Sequence, residues 1–380
     1  MNLENTLIMI PGPVPVVPRI LRAMSKPMIN HRGKEFSDLY DDCRSILAEL
    51  FQTKNEIFVL SGSGSCAMEA AVGNLIERED KIITIVNGKF GERFKELGDR
   101  YGKVISVEFE WGTSIDLEKV KEALEEGAKA IAFVHNETST GILNPAEEIG
   151  KLAKKYDALF IMDAITSTGG TEVKVDKWGV DIAVVGSQKC LGMPPGLSAV
   201  SVSERAWEFM HDKAPYYMDL KAYKKSADKD LTQTPYTPAL PLFFALQEAL
   251  HIVKEEGLEN RINRHKKGAE AVRAAADALN IERFPQLNEF SKYSNTVTAM
   301  KIPYPITDKQ LKSGMLDRGI LISGGQSHLS GKIFRIGTMG NFTPRDILTT
   351  IQTLEVVLQE HNIISDLGAG VEAANKVLNQ

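Results

Sequence analysis

Four short stretches of this chain carry residue types that could hold and activate a small ligand. In SGSGSCAMEAA, Ser61 to Ala71, the glycines let backbone approach a ligand closely, and N–H groups freed at a helix start attract anions. Ser63 and Ser65 add hydroxyl donors around Gly64, which suits a phosphate, although an ordinary strand-to-helix turn would use the same residues. Asp163 in ALFIMDAITS follows four apolar residues. That places it at the carboxyl end of a strand, where ligands gather in α/β sheets; a turn cap is the plainer alternative. Lys189 in DIAVVGSQKCLGMPPG directly follows an apolar strand. Desolvation there lowers a lysine's pKa toward the neutral amine that forms Schiff bases, whereas a snorkelling side chain would stay charged in solvent. Arg335 in KIFRIGTMG has apolar neighbours on both sides. In a cleft its guanidinium would grip a carboxylate bidentately; on an edge strand it would be a surface charge. A phosphate cradle, a carboxylate for a ring nitrogen, a strand-end lysine and a carboxylate-binding arginine together are what a pyridoxal phosphate enzyme requires. The combination is far more specific than any one member.

Rivals weaken on the same residues. Gly62, Gly64 and Ala67 fit G-x-G-x-x-A, but a dinucleotide site needs an acidic residue after the next strand. KIITIV ends in Asn87-Gly88 instead, so a nicotinamide oxidoreductase is the weaker reading. No Gly-Lys-Ser/Thr follows the turn, which removes a P-loop. The three cysteines, Cys43, Cys66 and Cys190, lack metal-ligand spacing and cannot build a disulfide framework, so neither a metal nor an oxidising compartment is expected.

These residues must be positioned by a regular framework. From Glu56 onward, short apolar β-rich runs alternate with helical stretches: EIFVL, KIITIV, AIAFVH, ALFIMD, DIAVVG and SAVSVS as strands, with helices after most of them. Runs apolar throughout predict an α/β fold, a mostly parallel sheet with helices on both faces. Lys221 to Lys229 reads as a polar loop, and Leu240 to Glu256 and Leu258 to Asn280 as two long helices. Short strands at Asn295 to Ile302 and Ile333 to Ile336, with helices at Asp308 to Arg318 and Pro344 to Gln359, predict a smaller α+β domain. The expected division is an extended segment over 1–20, a large domain over 21–257 and a small C-terminal domain over 258–380.

The bulk numbers fit this and exclude other classes. The 380 residues are 43% hydrophobic and 25% charged, ordinary for a globular chain. A net charge of −5 with Lys and Arg spread along the chain argues against nucleic acid. No apolar run approaches the roughly 20 residues needed to span a bilayer, and no basic stretch precedes the short apolar N-terminal run. A cytoplasmic protein is expected.

At this point the sequence resembles the class V aminotransferases of fold type I, particularly the alanine–glyoxylate and serine–pyruvate branch. The resemblance covers nearly the whole chain, through PGPVPVVPRI, SGSGSCAMEAA, HNETSTG, MDAITSTGG, GSQKCLGMPPGLS, TPYTPAL and FRIGTMG in the family's order. It implies that Lys189 carries pyridoxal 5′-phosphate as a Schiff base and acts as the base. Asp163 would pair with the ring nitrogen, Phe90 would stack on the ring and Thr138 would contact the ring oxygen. Ser63, Gly64, Ser65 and Gln188 would hold the phosphate, with Thr237 reaching it from the second subunit of a homodimer. Arg335 would bind the substrate carboxylate, with backbone near Gly12 closing the site. Position 65 is serine where some members have histidine, and Thr234 stands where some supply a tyrosine, for which Tyr236 is a candidate substitute. The implied reaction is ping-pong transfer of an amino group from alanine or serine to glyoxylate or pyruvate. Aspartate with 2-oxoglutarate is the alternative, and a lyase of the same fold a weaker one. A cysteine desulfurase needs a nucleophilic cysteine late in the chain, and none follows Cys190.

Overall fold

The computed structural model describes residues 6–380, so the first five residues of the expected N-terminal segment lie outside the described residues. Seven strands form the main sheet: β1 (Glu56–Ser61), β2 (Lys81–Val86), β3 (Lys103–Glu108), β4 (Ala130–Val134), β5 (Leu159–Asp163), β6 (Ile182–Gly186) and β7 (Leu197–Val202). Their spatial order is β1-β7-β6-β5-β4-β2-β3. Only β7 runs antiparallel, to both β1 and β6; the remaining pairs are parallel. This is the α/β fold expected, with a mostly parallel sheet.

The reason for the continuous apolar runs is visible in which face each residue serves. Successive side chains of a strand point to opposite faces. Accordingly Phe160, Met162, Ala183 and Val185 join one apolar cluster, while Leu159, Ile161, Ile182 and Val184 join another across the sheet. Both faces are covered by helices, so the strands read apolar on both sides, with small hydroxyl residues such as Thr84, Ser198 and Ser201 interspersed. Truncating one of these buried side chains, Ile161 or Phe160, to alanine would cost about 2–5 kcal/mol.

Because β1 and β6 are both antiparallel to β7, the carboxyl ends of β1, β2, β4, β5 and β6 share one edge. Each strand end leads into a segment singled out above. A helix, α1 (Gly64–Leu75), follows β1, and α2 (Lys89–Tyr101) follows β2. The helix starts at Gly64, three residues earlier than AMEAAVGNLI suggests, so part of the glycine turn is itself helical.

One expectation is corrected. Lys221 to Lys229 is not a loop: Leu220–Ala227 is helical. The Asp219 side chain accepts from Lys221 N at 2.9 Å and caps it. Leu220, Tyr223 and Ala227 are buried on one side, an apolar stripe masked in the sequence by the lysines between them.

A second sheet of three strands, β8 (Val297–Lys301), β9 (Ser323–Gly324) and β10 (Ile333–Gly337), has β10 in the centre. It packs with helices Leu258–Ala278 and Pro344–Glu360 around a separate apolar cluster. Leu7–Ile8 pairs with Ile320–Leu321, and Gly337 N donates to Met9 O at 2.8 Å. These contacts tie the N-terminal segment to the C-terminal half before it passes Lys189.

Candidate active site

The turn after β6 presents Lys189. It is stapled at several points: Ser187 Oγ donates to Pro194 O at 2.7 Å, and Gly192 N to Lys189 O at 2.9 Å. Buried Arg261 donates to Cys190 O at 2.6 Å and pairs with Glu256 at 2.6 Å. The Lys189 amine therefore projects from a fixed backbone. Burial lowers its pKa to about 8, with Arg335 and Arg93 adding to the effect while Cys190 and Asp163 oppose it. Its Nζ donates to Pro11 O at 2.6 Å.

Gly12, beside that carbonyl, has φ +87°, and a Cβ there would sit 2.7 Å from Lys189 Cδ and 2.9 Å from Nζ. Glycine is required twice over, by the backbone conformation and by the lysine.

Asp163 ends β5 with its carboxyl buried. Burial raises its pKa to about 7, and the neighbouring Glu137 adds to this. Oδ1 accepts from Ile165 N at 2.7 Å, so the turn-cap role is real. Yet one short hydrogen bond leaves the carboxyl poorly compensated for its burial, as a group awaiting a cationic or N–H partner would be.

Ser63, Gly64, Ser65, Phe90, Asp163, Gln188 and Lys189 line one cavity, together with Arg93, Asn136, Ile165 and Thr166. Seven of the expected site residues thus converge, although they come from four strand ends. The N-cap Ser63 makes no side-chain cap to α1, so the helix's first N–H groups face the cavity side uncapped. Gln188 Oε1 and Asn136 Oδ1 are buried without a hydrogen-bond partner.

Arg335 lies on β10, the central strand, which removes the edge-charge alternative. Its Nε and Nη2 donate to Gly324 O at 3.0 and 2.8 Å, and Nη1 donates to Thr138 O at 2.8 Å. Three of five N–H donors are used to fix the plane, and one on each terminal nitrogen remains. Burial lowers its pKa to about 10, where it is still a cation at neutral pH. Thr138 is thus joined to Arg335 through its carbonyl.

Thr237 is not brought into this cavity within one chain. It is exposed, on the segment before Leu240. Thr234 Oγ1 donates to Tyr236 O at 2.7 Å, and the Tyr236 hydroxyl to Tyr216 O, so both side chains are engaged locally.

Sequence reading missed Glu137, Arg93 and Arg261. Glu137 is fully buried and accepts from Phe90 N, Gly91 N and Ser139 N at 3.0, 3.2 and 3.1 Å, fixing the start of α2 and hence Phe90. Its position inside HNETSTG was the available signal. Arg93 follows Phe90 by three residues, one helical turn, which places both on one face.

The residues present fit pyridoxal phosphate: an uncapped helix start with serines for a dianion, a buried carboxyl for a ring N–H, and a desolvated amine, all lining one cavity. Among the described residues no group of three or more His, Cys, Asp or Glu side chains is placed to hold a metal ion, and no helix is long and apolar enough to cross a membrane.

Comparison with known proteins is consistent with this geometry. A family model described as aminotransferase class-V matches residues 21–340. An uncharacterized aminotransferase of Methanocaldococcus jannaschii is 46% identical over 379 residues, covering 98% of this chain and 97% of that protein. A Synechococcus protein named as the small subunit of a soluble hydrogenase is 40% identical, covering 99% of each. The crystal structure of ureidoglycine–glyoxylate aminotransferase from Bacillus subtilis superposes with a TM-score of 0.93 at 35% identity, covering 99% of this chain and 98% of that one.

Proposed function

The chain belongs to the class-V aminotransferase family, and from that premise we propose that it moves an amino group from alanine or serine to glyoxylate or pyruvate by a ping-pong route, with pyridoxal phosphate held at Lys189. The observation that carries this is the meeting of a desolvated lysine and a buried aspartate in one cavity, together with an uncapped helix start. The hydrogenase name of one relative is not carried over, because this constellation is what amino-group chemistry uses.

When bound, the cofactor supplies an electron sink for the substrate's Cα and a store for its amino group. The chain's own residues do the rest. Lys189 Nζ, with a pKa near 8, is neutral in a useful fraction at neutral pH, so it can take the Cα proton and return it. Asp163 holds the ring nitrogen's proton, and in doing so acquires the partner its buried carboxyl lacks. Ser63, Gly64, Ser65 and Gln188 hold the phosphate; Phe90 packs on the ring and Thr138 meets the ring oxygen. Arg335 receives the substrate carboxylate on its two spare donors, and Gly12 with Pro11 closes the opposite wall.

Assembly is part of the same proposal. Tyr216, Tyr217, Met28 and Leu231 are exposed large hydrophobics, and Tyr216 and Tyr217 pack against Tyr236 beside Thr237. A second copy of the chain covering this patch would bring Thr237 to the neighbouring phosphate. A division into 1–20, 21–257 and 258–380 is part of the same proposal, supported at its second boundary by the separate apolar cluster of the C-terminal half. A cytoplasmic setting accords with three free cysteines.

Aspartate with 2-oxoglutarate is the second reading, favoured by Arg93, another guanidinium lining the cavity. A panel of amino donors and oxo-acid acceptors on the purified protein tests both. Turnover of alanine or serine with glyoxylate or pyruvate is expected; turnover confined to aspartate and 2-oxoglutarate selects the second reading. No transfer from any donor, by protein carrying the cofactor, overturns both.

A further inference from the structure

Arg93, one of the residues lining the cavity, is specifically placed. It projects from the first turns of α2 into the cavity that holds Lys189 and Asp163. Its guanidinium lies over the Phe90 ring, 4.9 Å from the centroid, and Nη1 donates to Ser65 Oγ at 3.0 Å. That bond uses one of five N–H donors. Among the described residues Arg93 forms no ion pair. Glu92 and Glu96 of its own helix turn to Lys89, at 2.9 and 3.6 Å. Glu137 spends its oxygens on backbone N–H groups and Ser139.

A half-buried cation with no ion-pair partner costs free energy unless a ligand anion offsets it. Packing on Phe90 removes its freedom to swing into solvent. Its charge also reaches the two reactive groups, favouring ionised Asp163 and opposing protonation of Lys189. We propose that Arg93 is a second anion-binding guanidinium of this site, distinct from Arg335, that takes an oxyanion: the cofactor's phosphate or the distal carboxylate of a dicarboxylic substrate. The bond to Ser65, on the first turn of the uncapped helix, favours the phosphate. The inference rests on the pyridoxal phosphate reading above.

The test separates the two sources. Cofactor-free wild type, Arg93→Gln and Arg93→Lys are titrated with pyridoxal phosphate and with pyridoxal, following the bound chromophore's absorbance. Arg93→Gln is expected to weaken pyridoxal phosphate by roughly tenfold or more, and pyridoxal by less than about twofold. Arg93→Lys keeps the charge but loses the fork, so it should recover part of the loss. In the second arm the cofactor-saturated variants are titrated with alanine and aspartate. If the anion is the substrate's, aspartate alone weakens in Arg93→Gln and pyridoxal phosphate does not.

Equal weakening of pyridoxal phosphate and pyridoxal, with alanine and aspartate also falling together, means Arg93 only supports Phe90 and overturns the proposal. So does no change in any titration. If Arg93→Gln fails to fold by circular dichroism, Arg93→Lys decides by the same ratios. Wild type that takes up no pyridoxal phosphate removes the proposed function itself, and this inference with it.

Discussion

Lys189 and Pro11 are 178 residues apart in sequence, and the lysine's Nζ donates a 2.6 Å hydrogen bond to the proline's carbonyl oxygen. The N-terminal segment is thereby a wall of the reactive site, held there by its own pairing with the C-terminal half. Gly12 is the tightest point of this wall. Gly12→Ala would press a methyl against Lys189 and force a positive φ on alanine. Cofactor uptake should fall by tenfold or more while the far-UV circular dichroism stays native, since the strain of about 1–3 kcal/mol is local. Unchanged uptake would show that the segment yields freely.

The lysine's proton sets a pH dependence. A Lys189 pKa near 8 means that the neutral, nucleophilic amine grows as pH rises through 8 instead of 10.5. The rate at which cofactor-free protein captures pyridoxal phosphate should rise from pH 6.5 and level off above about pH 8.5. A rate still climbing at pH 10 would place the amine in solvent.

Asp163 gives a second pH effect with the opposite origin. Its folded-state pKa, about 7, lies above the ordinary 3.8, so the folded state binds the proton more tightly than the unfolded chain. That contribution is complete below about pH 4 and is lost as pH rises through 7. In cofactor-free protein, Asp163→Asn should therefore raise the melting temperature more at pH 8 than at pH 5. Bound cofactor should erase the difference, because its ring N–H compensates the carboxylate. An Asp163→Asn effect independent of pH would contradict this assignment.

How much of this was legible in the sequence depends on the range of each interaction. The strands, the strand-end Asp163 and Lys189, and the glycine turn could be read because each is coded within a dozen residues. Arg335 on β10 could be named but not placed, since whether a strand is central or at an edge depends on pairing with β8 and β9. Helix Leu220–Ala227 was lost because lysines hid a short apolar stripe. Arg261 and Glu137 were silent for a related reason: a buried charge is recognisable only once its partners, Cys190 O or Phe90 N, are beside it. Thr237, which the resemblance sets beside a phosphate, lies exposed outside this chain's own cavity, so its proposed role depends on a second copy.

In the proposed reading, Arg335 ties the site to amino acids. Hydrogen bonds to charged groups contribute roughly 1.5–3 kcal/mol each, so Arg335→Ala should weaken alanine and serine binding by about one to two orders of magnitude. The cofactor's absorbance should persist, because Arg335 meets Thr138 through the backbone carbonyl, and Ala at 335 leaves the Thr138 hydroxyl in place. Arg335→Lys should recover only part. Unchanged affinity in Arg335→Ala would assign the carboxylate to another residue.

Assembly is checked by light scattering on the purified protein. A dimer is expected, with Thr237→Ala weakening cofactor retention without dissociating it. A fully active monomer at working concentration would contradict the shared site.

The central claim is that Lys189, among all lysines of the chain, carries the cofactor. Protein incubated with pyridoxal phosphate is reduced with borohydride, which makes the lysine–cofactor link permanent, then digested and mapped by mass spectrometry. One pyridoxyl-phosphate adduct is expected, on the peptide containing Lys189, and none in Lys189→Ala. An adduct on a different lysine, or wild-type protein with none at saturating cofactor, would contradict it.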